Sequence, residues 1–248
     1  MRQYRNVDPQ RATHALEVRH DDEIYRIEIK RVATARRFIL RVRNATRDAV
    51  LTMPQRAALK DARDFAERHA AWVGARLRRL PESVPFVDGA LIPLRGIDTR
   101  IVHNPLARGA VAQGESDGAP ALHVSGDAPH IERRVRDWLK AQCRADLEDA
   151  VDFYARAIGR AAPRIALRDT TSRWGSCSST GALSFSWRLI LAPPDVLRYL
   201  AAHEVCHLVH MDHSDKFWDL CRSICPETDM GEAWLKARGV QLHRFGAT

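Results

Sequence analysis

Hydrophobic and polar residues alternate through residues 15–52, with polar breaks at residues 20–22 and 44–48. A period of two is typical of strands that bury one face, and short polar breaks are typical of turns. The pattern therefore predicts an antiparallel meander. After Pro54 the apolar residues recur at steps of three and four, which predicts one amphipathic helix that continues to the residue before Pro81.

The remainder of the chain is predicted to mix short strands with helices. The Gly- and Pro-rich sequence of residues 81–129 favours two or three short strands and a loop near residues 109–120. A long helix is expected over about residues 129–159, and after it come a short strand, a polar turn and a second strand over residues 182–191. Another helix is expected to begin after Pro194, because proline suits the first helical turn.

These elements predict an α+β fold in two parts. Residues 1–127 are expected to form an N-terminal antiparallel β region with one long helix. Residues 128–248 are expected to form a helical half around a short sheet. The two parts are either separate domains or one compact unit.

Composition is that of a globular protein, with one unusual feature, the charge. The 248 residues are 45% hydrophobic, enough for a sizeable core, and no segment approaches the 18 or so apolar residues of a membrane span. The net charge is +8, so nucleic acid and acidic surfaces remain open as partners. The arginine runs at residues 36–37, 76–79 and 133–136 lie on three separate elements without interleaved aromatic residues, which favours solvated helix faces over a nucleic-acid surface.

The N-terminus and the cysteines bear on the compartment. Residues 1–14 have no apolar stretch behind their positive charge, so no secretory signal is predicted and a cytoplasmic location is the default expectation. The five cysteines are an odd number and form no C-x-x-C pair. We therefore expect reduced and mostly buried thiols, with Cys206 in the core rather than acting as a nucleophile.

The candidate chemistry lies in the helix that follows Pro194. His203 and His207 are four residues apart, so on a helix their imidazoles lie on one face about one turn apart. Glu204 lies beside that face, where its carboxylate can reach a metal-bound water without ligating the metal. This H-E-x-x-H arrangement is the one found in zinc hydrolases.

A zinc hydrolase also needs a third protein ligand and an open fourth position. His213 can supply that ligand only if the chain leaves the helix between His210 and Asp212. Glu227 and Glu232 are the alternative third ligands. Three residues are candidate donors to the oxyanion of the transition state: Arg173, Tyr199 and His210.

The order of motifs in residues 173–218 resembles the YgjP-like metallopeptidase family. It comprises Arg-Trp-Gly-Ser-Cys, a strand, the H-E-x-x-H helix and His-Ser-x-x-Phe-Trp, and the resemblance extends from about Arg36 to the C-terminal helix. SprT-like proteases are similar to a lesser degree. The resemblance implies a zincin-like second half and a zinc-dependent peptidase that hydrolyses peptide or protein substrates. It further implies one Zn²⁺ ion and assigns these roles: metal ligands His203, His207 and His213, and catalytic Glu204, which activates the zinc-bound water.

Other interpretations stay open. A DNA-associated, SprT-like protease would use the arginines to find DNA-bound proteins, whereas a non-catalytic metal-binding adaptor would have no need of Glu204. The Arg-Trp-Gly-Ser-Cys block is explained equally well by substrate contact and by a tight turn that Trp174 packs. Phe217 and Trp218 are expected in the core behind the ligand loop, and Ser214 is expected to cap the next helix. A peptide is expected to pair with the strand predicted over residues 182–191 if that strand is an edge.

Overall fold

The structure is a computed structural model that describes residues 15–43, 47–80, 82–106, 109–170 and 173–246. Residues 1–14, in which no secretory signal is predicted, and most of the predicted turn at residues 44–48 lie outside the described residues. Within the described ranges, no helix is both long enough and apolar enough to cross a membrane. The chain divides into two compact units, residues 1–81 and 82–248.

The first unit contains a four-stranded sheet. Its strands are β1 (Ala15–His20), β2 (Glu23–Val32), β3 (Ile39–Arg43) and β4 (Asp48–Pro54). Their order is β1-β2-β4-β3, with β2 and β4 parallel and the other two pairs antiparallel. The sheet is therefore rich in antiparallel pairs, as predicted, but it is not a meander, because β4 inserts between β2 and β3.

Two helices complete this unit, α1 (Leu59–Arg68) and α2 (Ala70–Arg78), where the sequence predicts one. Pro54 ends β4 and accepts a hydrogen bond from Ala57 in a turn, so the first helix begins later than predicted. The second difference is a break at His69, whose Nδ1 lies 2.8 Å from the carbonyl oxygen of Phe65. The inner faces of both helices share one apolar core with the sheet.

The second unit begins with another four-stranded sheet, in the order β5-β6-β8-β7. Its strands are β5 (Leu91–Leu94), β6 (Ile97–His103), β7 (Val111–Ser116) and β8 (Ala119–Val124). Half of the loop predicted near residues 109–120 is therefore strand β7, and its last two residues begin β8. The turn from β7 to β8 places Asp117 and Gly118 at φ values of 53° and 72°, the left-handed pair that a tight hairpin turn requires.

Helices and a small sheet form the rest of this unit. The elements are α3 (Ile131–Ala157), β9 (Ile165–Arg168), β10 (Gly175–Cys177), β11 (Leu183–Ser186), α4 (Pro194–Cys206), α5 (Asp215–Ile224) and α6 (Thr228–Arg238). Ile101 and Leu122 of the four-stranded sheet and Leu139 and Leu147 of α3 belong to one core cluster. This shared core places the four-stranded sheet and α3 in one compact unit, which begins at residue 82.

The small sheet has the order β10-β11-β9, with β10 antiparallel and β9 parallel to β11. Only the first part of the strand predicted over residues 182–191 is extended, because Trp187–Leu191 forms a buried 3-10 turn. The Ser186 hydroxyl accepts a hydrogen bond from the Arg188 amide and so helps to begin that turn. The predicted α+β fold is confirmed.

Candidate metal centre

Three histidines from α4 and the segment after it converge. His203 lies in the last turn of α4, and His207 immediately follows the final helical residue. The His210 amide still donates to Cys206, 3.0 Å away, and the chain then turns back so that His213 precedes α5. The candidate ligand atoms of His203, His207 and His213 lie within 4.8 Å of one another.

The spacing and the hydrogen bonds of the imidazoles fit a tetrahedral metal ion. The Nε2 atoms of His203 and His213 are 3.1 Å apart, against about 3.3 Å for two nitrogens on one tetrahedral zinc. Nδ1 of His207 donates to the His210 carbonyl at 2.9 Å, which leaves its Nε2 lone pair free for a metal. Nδ1 of His203 is buried without a hydrogen-bond partner among the described residues. That ring is therefore held in place by packing.

Burial also favours the uncharged form of two of the three imidazoles. Burial, with the two neighbouring imidazoles acting in the same direction, lowers the pKa of His203 to about 3. Burial likewise lowers the pKa of His207. Neutral imidazole is the form that donates a lone pair to a metal, so His203 and His207 are ready to bind a divalent cation at neutral pH.

Two aromatic residues of α5 support the imidazoles. Phe217 is fully buried, stacks on His207 with ring centroids 4.5 Å apart, and meets His203 edge-on at 4.9 Å. Trp218 is partly buried, with its ring centroid 5.8 Å from that of His213. The core position predicted for Phe217 is confirmed, and both aromatic rings restrict how far the candidate ligands can rotate.

Glu204 is the buried carboxylate beside the histidines. Its residue is only 4% exposed, and burial raises its pKa to about 7 while the Arg173 guanidinium acts in the opposite direction. A carboxyl group with a pKa near neutrality can both accept and return a proton at physiological pH. The position and the pKa of Glu204 therefore suit a general base.

The Arg-Trp-Gly-Ser-Cys block lies directly against that carboxylate. A Cβ atom at Gly175 would lie 2.8 Å from both Cγ and Cδ of Glu204, closer than real Cβ atoms approach other atoms. Gly175 does not have a positive φ, so it is required here for space and not for backbone conformation. Sequence reasoning missed this contact, although a glycine inside a strand is a known signal of close approach.

Trp174 packs this block onto the C-terminal segment. Its ring stacks on His243 with centroids 4.8 Å apart, and a Cβ at Gly239 would lie 3.0 Å from its Nε1. Arg188, itself 3% exposed, donates to Asp169 at 2.7 Å and to backbone carbonyls of the C-terminal segment. Trp174 therefore has a packing role, one of the two interpretations that the sequence leaves open.

The open edge next to Glu204 belongs to β10. The prediction that residues 182–191 form an edge strand for peptide binding is wrong, because β11 lies in the middle of its sheet. The Ser186 amide donates to Trp174 and the Ser178 amide to Ala182. By the alternation of antiparallel pairing, the backbone groups of Gly175 and Cys177 then face away from β11. In the described part of the chain, no strand pairs with that side of β10.

The alternative third ligands lie apart from the histidine cluster. Glu232 pairs with Lys236 at 2.8 Å, and Glu227 accepts from the Cys225 thiol at 3.6 Å. Neither belongs to the group formed by the three histidines. Of the candidates considered from the sequence, His213 is the one that the fold brings to His203.

The three candidate oxyanion donors have different surroundings. Tyr199 is 3% exposed and lies behind His203, with ring centroids 5.8 Å apart. His210 contacts a candidate ligand through its backbone carbonyl. Arg173 is exposed and close enough to influence the Glu204 carboxyl. Arg173 is therefore the candidate whose side chain is both accessible and near Glu204.

Two smaller expectations concern Ser214 and the cysteines. Ser214 occupies the N-cap position of α5, but its side chain makes no capping hydrogen bond, and its amide donates to Asp212 instead. All five cysteines are free and four are buried, as predicted. A hydrogen bond to Cys221, together with burial, raises the pKa of Cys206, which keeps this thiol protonated.

Comparison with known proteins assigns the chain to a family. The model of the YgjP-like family, described as YgjP-like, metallopeptidase domain, matches residues 36–238. This match confirms the resemblance predicted from the order of motifs, including its start at Arg36. No curated protein and no solved structure matches the chain.

Proposed function

Because the chain belongs to the YgjP-like metallopeptidase family, we propose that it is a zinc-dependent enzyme that hydrolyses peptide bonds in peptides or proteins. His203, His207 and His213 would hold one Zn²⁺ ion, and Glu204 would act as the general base. The observation that carries this proposal is the convergence of three imidazoles, one of them next in sequence to the buried carboxylate of Glu204. A metal site that served only the fold would have no need of that carboxylate.

The residues divide the chemistry between them. A bound zinc ion supplies Lewis acidity toward a substrate carbonyl and toward water. Glu204, whose pKa is raised to about 7 by burial, takes the proton from the attacking water and returns it to the leaving amine. The His210 carbonyl fixes the orientation of His207 through the hydrogen bond to Nδ1.

The open edge of β10 suits an extended substrate. The amide and carbonyl groups of Gly175 and Cys177 would pair with the substrate backbone and place it beside Glu204. Arg173 would donate to the oxyanion that develops during attack, because it is exposed and lies near the Glu204 carboxyl.

The central experiment compares the wild type with Glu204→Gln by metal analysis and by digestion of a peptide library. We expect both proteins to bind one equivalent of zinc, since Glu204 is not a proposed ligand. Cleavage should fall by about 10²- to 10⁴-fold in the variant, the range for loss of a general base. Absence of bound zinc in both proteins, or equal cleavage by both, would contradict the mechanism.

The ligand assignment is tested separately by His213→Ala, with Glu232→Ala as the matched control. The first variant should lose most of its zinc, and the second should keep it, because Glu232 is paired with Lys236. The reverse result would transfer the third-ligand role to the glutamate. Full zinc retention in both variants would remove His213 from the site without replacing it.

A further inference from the structure

The excess positive charge of the chain belongs entirely to the first unit. Residues 1–81 contain 19 Lys and Arg against 10 Asp and Glu, a net charge of +9. Residues 82–248, which contain the candidate metal centre, have 20 against 21, a net charge of −1. Such asymmetry between two parts of a chain is typical of a protein whose basic part meets a polyanion.

Part of this charge lines a groove between β3 and α2. The groove has a volume of about 560 Å³. Leu40 and Val42 of β3 and Ala75 of α2 contribute its apolar surface. Trp72, which is 48% exposed, lines the same groove. An indole left half exposed beside apolar side chains offers a flat surface to a planar ligand.

Three arginines surround the exposed indole: Arg41, Arg76 and Arg79. Within residues 15–43 and 47–80, the side chain of none of the three has an ion-pair or hydrogen-bond partner. Neighbouring arginines differ in this respect, since Arg43 binds Asp48 and Arg78 binds Glu23. The charges that line the groove are therefore available to a ligand.

The tertiary structure also supplies the aromatic residue that the sequence pattern lacked. Trp72 and Arg76 of α2 and Arg79, the residue that follows this helix, are spaced at i, i+4 and i+7, which places them on one exposed side. Arg41 comes from β3, on the other side of the groove. The groove therefore combines one exposed aromatic residue with arginines from both of its sides.

We propose that the groove between β3 and α2 binds single-stranded nucleic acid. An unpaired base stacks on Trp72 and the apolar surface, and the three arginines contact the phosphates on either side. A duplex would keep its bases stacked on one another and leave the indole unused. An acidic peptide would satisfy the arginines, but its carboxylate side chains carry no aromatic ring to stack on the exposed indole.

The test measures binding of a short fluorescent thymidine oligonucleotide to the full-length protein, by anisotropy, at about 50 and about 200 mM salt. We expect binding that weakens as salt rises. Trp72→Ala should raise the dissociation constant by about 5- to 150-fold, the range for one stacked base, and Trp72→Phe should restore most of the affinity. Arg76→Gln should weaken binding and reduce the salt slope by about 0.7.

Arg56→Gln is the matched control. Arg56 is exposed in the turn before α1 and does not line the groove, so this variant makes the same charge change elsewhere in the unit. It should leave the dissociation constant unchanged. The proposal is overturned by absence of binding at low salt, by equal effects of Arg56→Gln and Arg76→Gln, or by a Trp72→Ala variant that binds like the wild type. Tighter binding of duplex DNA or of polyglutamate would replace the proposed ligand with that one.

Discussion

Substitution of Gly175 by alanine tests whether β10 sets the position of the Glu204 carboxylate, the proposed general base. The added methyl carbon would lie 2.8 Å from Cγ and Cδ of Glu204. Carbon atoms in contact prefer about 3.5–4.0 Å, so the strand or the carboxylate must move by about 0.7 Å or more. Glu204 is 4% exposed and therefore has little free space into which it can move.

This displacement has two expected consequences. Overpacking of a well-packed core costs about 1–3 kcal/mol, which should appear as a lower free energy of unfolding in urea. A catalytic group misplaced by about 1 Å loses about 10²-fold in rate, so kcat/KM on a peptide substrate should fall by that order. Zinc content should stay unchanged, because the imidazoles are not among the atoms nearest to the added methyl group.

Gly114→Ala provides the matched control for this variant. Gly114 lies in β7, has no positive φ, and a Cβ there would meet only His123 side-chain atoms, at 3.3 and 3.4 Å. It should retain wild-type activity. If Gly175→Ala cleaves peptides as fast as the wild type, the Glu204 carboxylate adapts freely and the positional argument is refuted.

Three further predictions concern stability. Burial, aided by Arg188, lowers the pKa of His243 to about 4, below its ordinary value of about 6.5, so the unfolded chain takes up the proton first as pH falls. The resulting stability is present above pH 6.5 and is lost toward pH 4, by up to about 3 kcal/mol. The free energy of unfolding in urea should therefore depend less on pH in His243→Gln than in the wild type. Equal pH dependence in the two proteins would show that the buried imidazole does not stay neutral. Arg188→Lys should lower the free energy of unfolding by about 2 kcal/mol, because lysine cannot reproduce the paired contact with Asp169; an unchanged urea midpoint would contradict this. Leu139→Ala, at a fully buried position of α3, should lower the free energy of unfolding by about 2–5 kcal/mol in the same urea measurement. A loss below about 1 kcal/mol would contradict this, because it would mean that neighbouring side chains fill the cavity.

Features that depend on neighbours in sequence were predicted well. The helix expected over residues 129–159 is α3, Ile131–Ala157, because its apolar stripe repeats at the helical period over many turns. The start of α4 at Pro194 follows from the fixed φ of proline and its missing amide hydrogen. The spacing of His203 and His207 on one face is likewise a local consequence of helical geometry.

Strand pairing was predicted less well. β4 lies parallel to β2, and β10 forms within a segment expected to be a polar turn. The first pairing spans an intervening strand, β3, and the second involves a strand of only three residues, which carries little periodic signal of its own. The break at His69 interrupts a helical pattern whose periodicity continues on both sides, so the pattern alone did not reveal it.

The spacing of residues along one helix was therefore enough to predict two histidines at metal-ligand spacing with Glu204 between them. The surroundings of that helix depend on the folded chain. It brought His213 rather than Glu227 or Glu232 to the histidines, and it placed Gly175 against the carboxylate. The physical reason is that these distances are set by chain reversals and by packing between separate elements, and local periodicity does not encode either.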